Sequence, residues 1–258
     1  MRLMKRILSA AAVLALSASL LVGCSSGTAS SVPVSASSAA ESTVSSVGET
    51  ASSAVDENEA AAAQLLNDLT GSYQELWPVI LADEYKQTWL DDCTALVGED
   101  NAEAAFEKLS SMVTGDVYGE DAVKAYANGG GAYFCGFTNS LATLTFDGEP
   151  STISGTDKDG NVLFSHTYHY IGMEPVRGLY EFESDDADSG EFTYFFLAPD
   201  TSAETYHIEF RYGSDAEALS QYDAGEYAYW VASGISTDCD QTMIDNCIEL
   251  FCTENLAG

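Results

Sequence analysis

The sequence is poorest in positive charge. Lysine and arginine number nine in 258 residues, against 41 aspartates and glutamates, for a formal net charge of −32. Arg2, Lys5 and Arg6 lie in the first 23 residues, which hold no acid, so the rest carries six bases, 41 acids and a charge of −35. Such a surface repels nucleic-acid phosphates and anionic headgroups, which excludes nucleic acid as a partner, and it draws cations loosely. Histidine is nearly as scarce: His166, His169 and His207 are the only three. No G-x-S-x-G, HExxH, Walker or Rossmann pattern occurs, so the sequence does not read as an enzyme. Residues 129–131, a Gly-Gly-Gly run, lack the strand, helix and lysine of a phosphate loop. There is no C-x-x-C pair either, which weighs against a thiolate zinc site.

What is present begins with a leader. Residues 1–23 read as a secretory signal, with a basic MRLMKR start and an apolar run over 7–21. That run is short and rich in Ser and Ala, unlike a permanent membrane span. It ends in Leu21-Val22-Gly23-Cys24, which resembles the lipobox of bacterial lipoproteins, in which the cysteine is acylated and becomes the mature N-terminus. Lipidation of Cys24 and a lipid anchor on the extracytoplasmic face of the cell membrane are the expectation. Residues 24–57 are dominated by Ser, Ala, Val, Thr and Gly, too little apolar area to fold, and read as a flexible tether. Residues 58–258 form one domain, large enough for a well-buried core.

Within that domain, 60–69, 72–81, 83–96, 101–113 and 119–126 read as helical, with Pro78 interrupting the second. Trp89, Leu90 and Cys93, then Phe106, Leu109 and Val113, recur at helical spacing. Trp77 and Trp89 read as core. After 129–131 the period falls from 3.6 to 2. Seven strands are expected, over 136–146, 151–155, 162–171, 177–184, 192–197, 205–212 and 227–232, separated by Asp-Gly and similar turns. Many short strands at this spacing point to a sandwich or barrel. A last helix is expected over 240–251, with Met243, Cys247 and Phe251 on one stripe. Five cysteines follow Cys24: Cys93, Cys135, Cys239, Cys247 and Cys252. Outside the cell two bridges and one free thiol is the simplest count, with a bridge inside the crowded 239–252 segment and the connectivity open.

The most informative stretch is 191–213, a strand, an Ala198-Pro199-Asp200 turn and a second strand. Phe192, Tyr194 and Phe196 alternate on the first strand; Tyr206, Ile208, Phe210 and Tyr212 on the second. The opposite face of the second carries His207, Glu209 and Arg211. Side chains two apart on a strand point the same way, so His207 and Glu209 are placed to share one metal ion. An Arg211–Glu209 ion pair is the plainer reading of the same face. His166 and His169, three apart, fall on opposite faces of a regular strand and do not chelate together.

Several segments together resemble ZinT/YodA-type domains, also found at the C-terminus of AdcA-type zinc lipoproteins. Asp68-Leu-Thr-Gly71 through Trp77-Pro78-Val-Ile-Leu81 is similar to the family's opening pattern. Tyr168-His-Tyr170-Ile-Gly172, Leu179-Tyr-Glu-Phe-Glu183, Asp188-Ser-Gly190-Glu-Phe192-Thr-Tyr194, Ala198-Pro199 and the strand over 207–213 are similar to later ones. The resemblance spans 68 to about 236. It implies a mainly β fold, a calycin or lipocalin-like antiparallel barrel with N-terminal helices and a C-terminal helix. It also implies extracytoplasmic zinc binding by three histidines and delivery to a zinc ABC importer. His207 falls on the second of those histidines and Glu209 on the third. The first is absent, with Phe195 and Phe196 about where it belongs, and the family's His-rich loop has no counterpart. The expected ligands are therefore His207 and Glu209, with His169 and His166 in reserve. Zinc is the expected metal, and a harder divalent ion such as Ca or Mn the variant that oxygen ligands favour. The rival expectation is a metal-free barrel that binds a small molecule or an envelope partner, which the 14 Tyr and 11 Phe suit.

Overall fold

Eight strands close into one barrel, each antiparallel to its neighbours, in chain order from β1 to β8 and back to β1. The computed structural model describes residues 47–199 and 205–257, with side chains from residue 57. The leader, Cys24, most of the tether and Asp200 of the expected turn lie outside the described residues. Among those described, no helix is long and apolar enough to cross a membrane. The expected mainly β barrel with flanking helices is the fold observed.

The strands are β1 Gly71–Glu75, β2 Thr143–Asp147, β3 Thr152–Thr156, β4 Val162–Met173, β5 Tyr180–Ser184, β6 Tyr194–Leu197, β7 Ile208–Gly213 and β8 Ala232–Ser236. Alternation turns one side chain in two inward, and those are aromatic or branched. Phe164, Phe192, Phe195, Phe210 and Tyr212 form a continuous stack, from 3.9 Å between the Phe164 and Phe192 rings to 6.3 Å between Phe195 and Phe210. Tyr212 is fully buried, and its hydroxyl accepts from the Thr138 N–H at 2.6 Å and donates to the Thr138 carbonyl at 2.9 Å. The barrel interior is a packed core.

The helices make a second layer. They are α1 Val47–Asp68, α2 Leu76–Ile80, α3 Lys86–Val97, α4 Ala102–Val113, α5 Glu120–Ala127, α6 Ala216–Leu219 and α7 Gln241–Leu256. α1 sets Ala62, Leu65 and Leu66 against the barrel core, and Leu69 joins them just past its end. Its start at Val47 makes 47–57, assigned above to the tether, helical. α2, α3, α4 and α7 share a second core with Trp77, Trp89, Leu109, Ile244 and Ile248. The Trp89 indole N–H donates to the Ile80 carbonyl at 2.7 Å. Asp240 caps α7 by accepting the Met243 N–H.

Four expectations change. Residues 72–81 are not one helix but β1 followed by the single turn of α2; Pro78 sits inside that first turn, where a missing N–H costs no intrahelical bond. The expected strand over 136–146 is broken by Asn139 and Ser140, both left-handed at φ 54 and 63, and only 143–147 pair. The last strand lies at 232–236 rather than 227–232, because Tyr229 also turns left-handed, at φ 57. On β6 the residues aligned with inward Tyr212 and Phe210 are Phe195 and Leu197, while Phe196 aligns with Arg211. Among the described residues no disulfide is formed in this structure: Cys93, Cys135, Cys239, Cys247 and Cys252 are unbridged.

Candidate functional site

β7 carries the site. Ile208, Phe210 and Tyr212 are buried in the barrel core, so alternation sends Glu209 and Arg211, with His207 one step before the strand, to the outer face. That face is covered rather than open: side-chain exposure is 16% for His207 and 30% for Glu209. Residue 247 of α7 lies over His207, and Cys135 lies beside Glu209.

His207 is held from both sides of its ring. Nε2 lies 3.7 Å from Glu209 Oε1. Nδ1 lies 2.6 Å from the Thr205 carbonyl and 3.8 Å from Cys247 Sγ. A carbonyl only accepts, so Nδ1 carries a proton toward Thr205, and Nε2 faces the carboxylate. Burial opposes a charged imidazole, but the contacts with Cys247 and Glu209 outweigh it and hold the His207 pKa well above the ordinary value. Burial likewise opposes the Glu209 carboxylate, and the His207 contact, helped by the Arg177 charge, brings its pKa below the ordinary value. Both shifts describe one ion pair.

Arg211 does not pair with Glu209. It is fully buried, and its guanidinium donates to the carbonyls of Leu219, Gln221 and Tyr227 while its charge lies 4.4 Å from the Tyr222 ring centroid. Burial lowers its pKa to about 10. The plainer reading of this strand face is thereby removed, and the Glu209 carboxylate turns to His207.

His166 and His169 do sit on opposite faces of β4, and neither joins His207. His166 Nδ1 is 2.8 Å from Asp186, just past the end of β5, and its ring stacks on Phe164 at 5.8 Å. His169, half exposed, pairs with Asp185 at 2.7 Å. Both engage the β5–β6 connection, whereas His207 lies one step before β7. Among the described residues, no set of three or more His, Cys, Asp or Glu side chains is arranged to hold a metal ion.

The donors that are present suit zinc as far as they go. Imidazole and carboxylate are zinc ligands at about 2.0–2.2 Å, and two such ligands on a tetrahedral ion lie roughly 3.3 Å apart. The 3.7 Å gap is close to that edge. The Nδ1–Thr205 bond is the kind of outer contact that orients a metal-binding imidazole, here with Nε2 turned to Glu209. Two protein donors would leave the remaining positions of such an ion to other ligands. Cys247–His207–Glu209 also has the order of a nucleophile, base and orienting acid. Cys247 is 2% exposed, however, and Nδ1 is committed to Thr205, so no substrate reaches that thiol. The sequence marked Cys247 as a core stripe residue and a candidate for a bridge within 239–252, not as a neighbour of His207. Nothing local links it to His207, 40 positions away.

No family model matches this chain, and no curated protein matches it. Solved structures do. The fold is similar to that of the ZinT-like domain of Streptococcus pneumoniae AdcA, described as Zn(II)-bound, at 16% identity and a TM-score of 0.45 over 71% of this chain and 89% of that one. It is also similar to Zn(II)-bound AdcA of the same organism, at 16% identity and a TM-score of 0.41, over 75% of this chain and 35% of that one.

A cleft of about 340 Å³ opens beside the barrel, lined by Glu75, Trp77, Leu81, Val113, Phe134 and Cys135 among others. The Glu75 carboxylate is occupied in accepting the Phe137 N–H at 2.6 Å.

Proposed function

We propose that this chain is a lipid-anchored extracytoplasmic protein, acylated on Cys24, that binds a divalent cation and supports zinc acquisition or buffering. Zinc is the metal, His207 Nε2 the first ligand and Glu209 the second, and a zinc ABC importer the recipient. The observation that carries the reading is the His207 ring, oriented by Thr205 and aimed at a carboxylate 3.7 Å away. The motif resemblance falls on this same strand. With two protein donors among the described residues the ion would exchange readily, which suits buffering and hand-over better than permanent storage. His166 and His169 play no part in this reading, since each is engaged by its own aspartate.

Chelator-buffered zinc titration of the purified chain tests it. Wild type is expected to take up one zinc, and His207→Ala and Glu209→Ala to bind at least about tenfold more weakly. Equal binding by wild type and His207→Ala ends the site assignment. Cys24→Ser is expected to release the chain from membranes.

The rival reading, a metal-free binding barrel, finds the barrel interior filled by the Phe164–Tyr212 stack. The cleft lined by Glu75, Trp77 and Phe134 offers a ligand a place outside the barrel, and equal zinc binding by all variants would turn attention there.

A further inference from the structure

Of the five cysteines that follow Cys24, two face each other. Cys93 Sγ and Cys252 Sγ lie 3.9 Å apart, sulfur against sulfur, between residues 159 positions apart in sequence. The other three are placed differently. Cys247 touches His207, Cys135 lies against the Tyr133 carbonyl, and Cys239 is partly exposed. Cys93 is in the middle of α3 and Cys252 in the last turns of α7, and these two helices pack along one another. Trp89 of α3 meets Phe251 of α7 edge-on at 6.0 Å, next to the sulfur pair.

We propose that Cys93 and Cys252 form the disulfide of this domain, a covalent staple between α3 and α7. An S–S bond is about 2.05 Å, so the sulfurs need to close by roughly 2 Å, within reach of small side-chain rotations. The chemistry is dithiol exchange with an external disulfide. One thiolate attacks that disulfide and expels a thiolate. The second thiolate then attacks the mixed disulfide, forming Cys93–Cys252 and releasing the second thiol. Two protons leave the cysteines, and the external disulfide is reduced to two thiols. Both side chains are fully buried, so the oxidant has access before the helices dock. Burial raises both thiol pKa values, which further disfavours reaction in the docked state. The bridge therefore closes during folding.

The test uses the purified full chain, unfolded and reduced, then refolded in a glutathione disulfide and glutathione mixture. Thiols are blocked in denaturant and the peptides mapped. The expected result is one dominant cross-link, Cys93 to Cys252, with Cys135, Cys239 and Cys247 alkylated. The chain refolded without oxidant should melt about 10 °C lower, because a bridge closing so long a loop constrains the unfolded state strongly. Full alkylation of all five cysteines that follow Cys24, or a dominant bridge joining another pair such as Cys239 and Cys247, overturns the proposal. The mapping is done on wild type, so the outcome does not depend on whether a buried cysteine variant folds.

Discussion

His207 and Glu209 compete with burial and win only as a pair. Each alone is destabilised by leaving water, and the imidazolium and carboxylate restore what burial removes. The sign of the pH dependence follows. His207 binds its proton more tightly folded than unfolded, so its contribution is complete below its ordinary pKa of 6.5 and fades as pH rises through the raised value. Glu209 works in the opposite sense: its contribution is present above its ordinary pKa of 4.5 and is lost as pH falls through the lowered value. The pair is therefore most stabilising between those limits. Thermal midpoints measured in chelator from about pH 5 to about pH 9 should show wild type losing stability at the alkaline end. Glu209→Gln, which leaves the imidazole without its carboxylate, should give a flatter profile, and superimposable profiles would refute the pairing. Zinc must displace the same Nε2 proton, so zinc affinity should climb across the same alkaline range.

At the scale of elements, docking of α1 on the barrel depends on a small residue. Gly148 follows β2, and a Cβ there would lie 2.5 Å from the Asn67 Cα and 2.9 Å from the Asn67 nitrogen. Its N–H donates to Thr70 Oγ1 at 3.1 Å, just beyond the helix. Gly148→Ala must push backbone against backbone and should cost about 1–3 kcal/mol in urea denaturation. Gly172→Ala, whose added Cβ meets only Glu181 at 3.8 Å, is the control expected to move little. The elements themselves were unevenly legible. α3, α4 and α7 show in the 3.6 repeat because one face of each is core, and the outer trio of β7 shows in strict alternation. β1 is hidden because five residues run straight into α2 with no turn residue between them. The 227–232 stretch mimics a strand by aromatic alternation, while left-handed Tyr229, which no periodicity reveals, turns the chain out of the sheet. The site was legible only along β7. Cys247 reaches His207 through the docking of α7, and the fates of His166 and His169 were decided by Asp185 and Asp186 across a strand pairing.

For the whole molecule, charge is the dominant unbalanced quantity. A net charge of −32 sets acid against acid over the entire surface. Among the described residues, the lysine–carboxylate pairs involve only Lys86 and Lys124, and all are exposed. Such pairs are worth about 0–1 kcal/mol each and cannot offset the repulsion. The compact state concentrates this charge more than the unfolded chain does, so screening should favour folding. Raising sodium chloride from about 0.01 M to about 1 M shortens the screening length from about 30 Å to about 3 Å. The thermal midpoint should rise steadily over that range, where a protein held by many surface ion pairs would lose stability. Magnesium should act at lower concentrations than sodium, because a diffuse negative surface distinguishes ions mainly by charge and magnesium carries two. Zinc at concentrations too low to alter ionic strength should add a further increment in wild type and none in His207→Ala. If that increment survives in His207→Ala, zinc is held by the acidic surface at large, and the β7 face is only an ion pair.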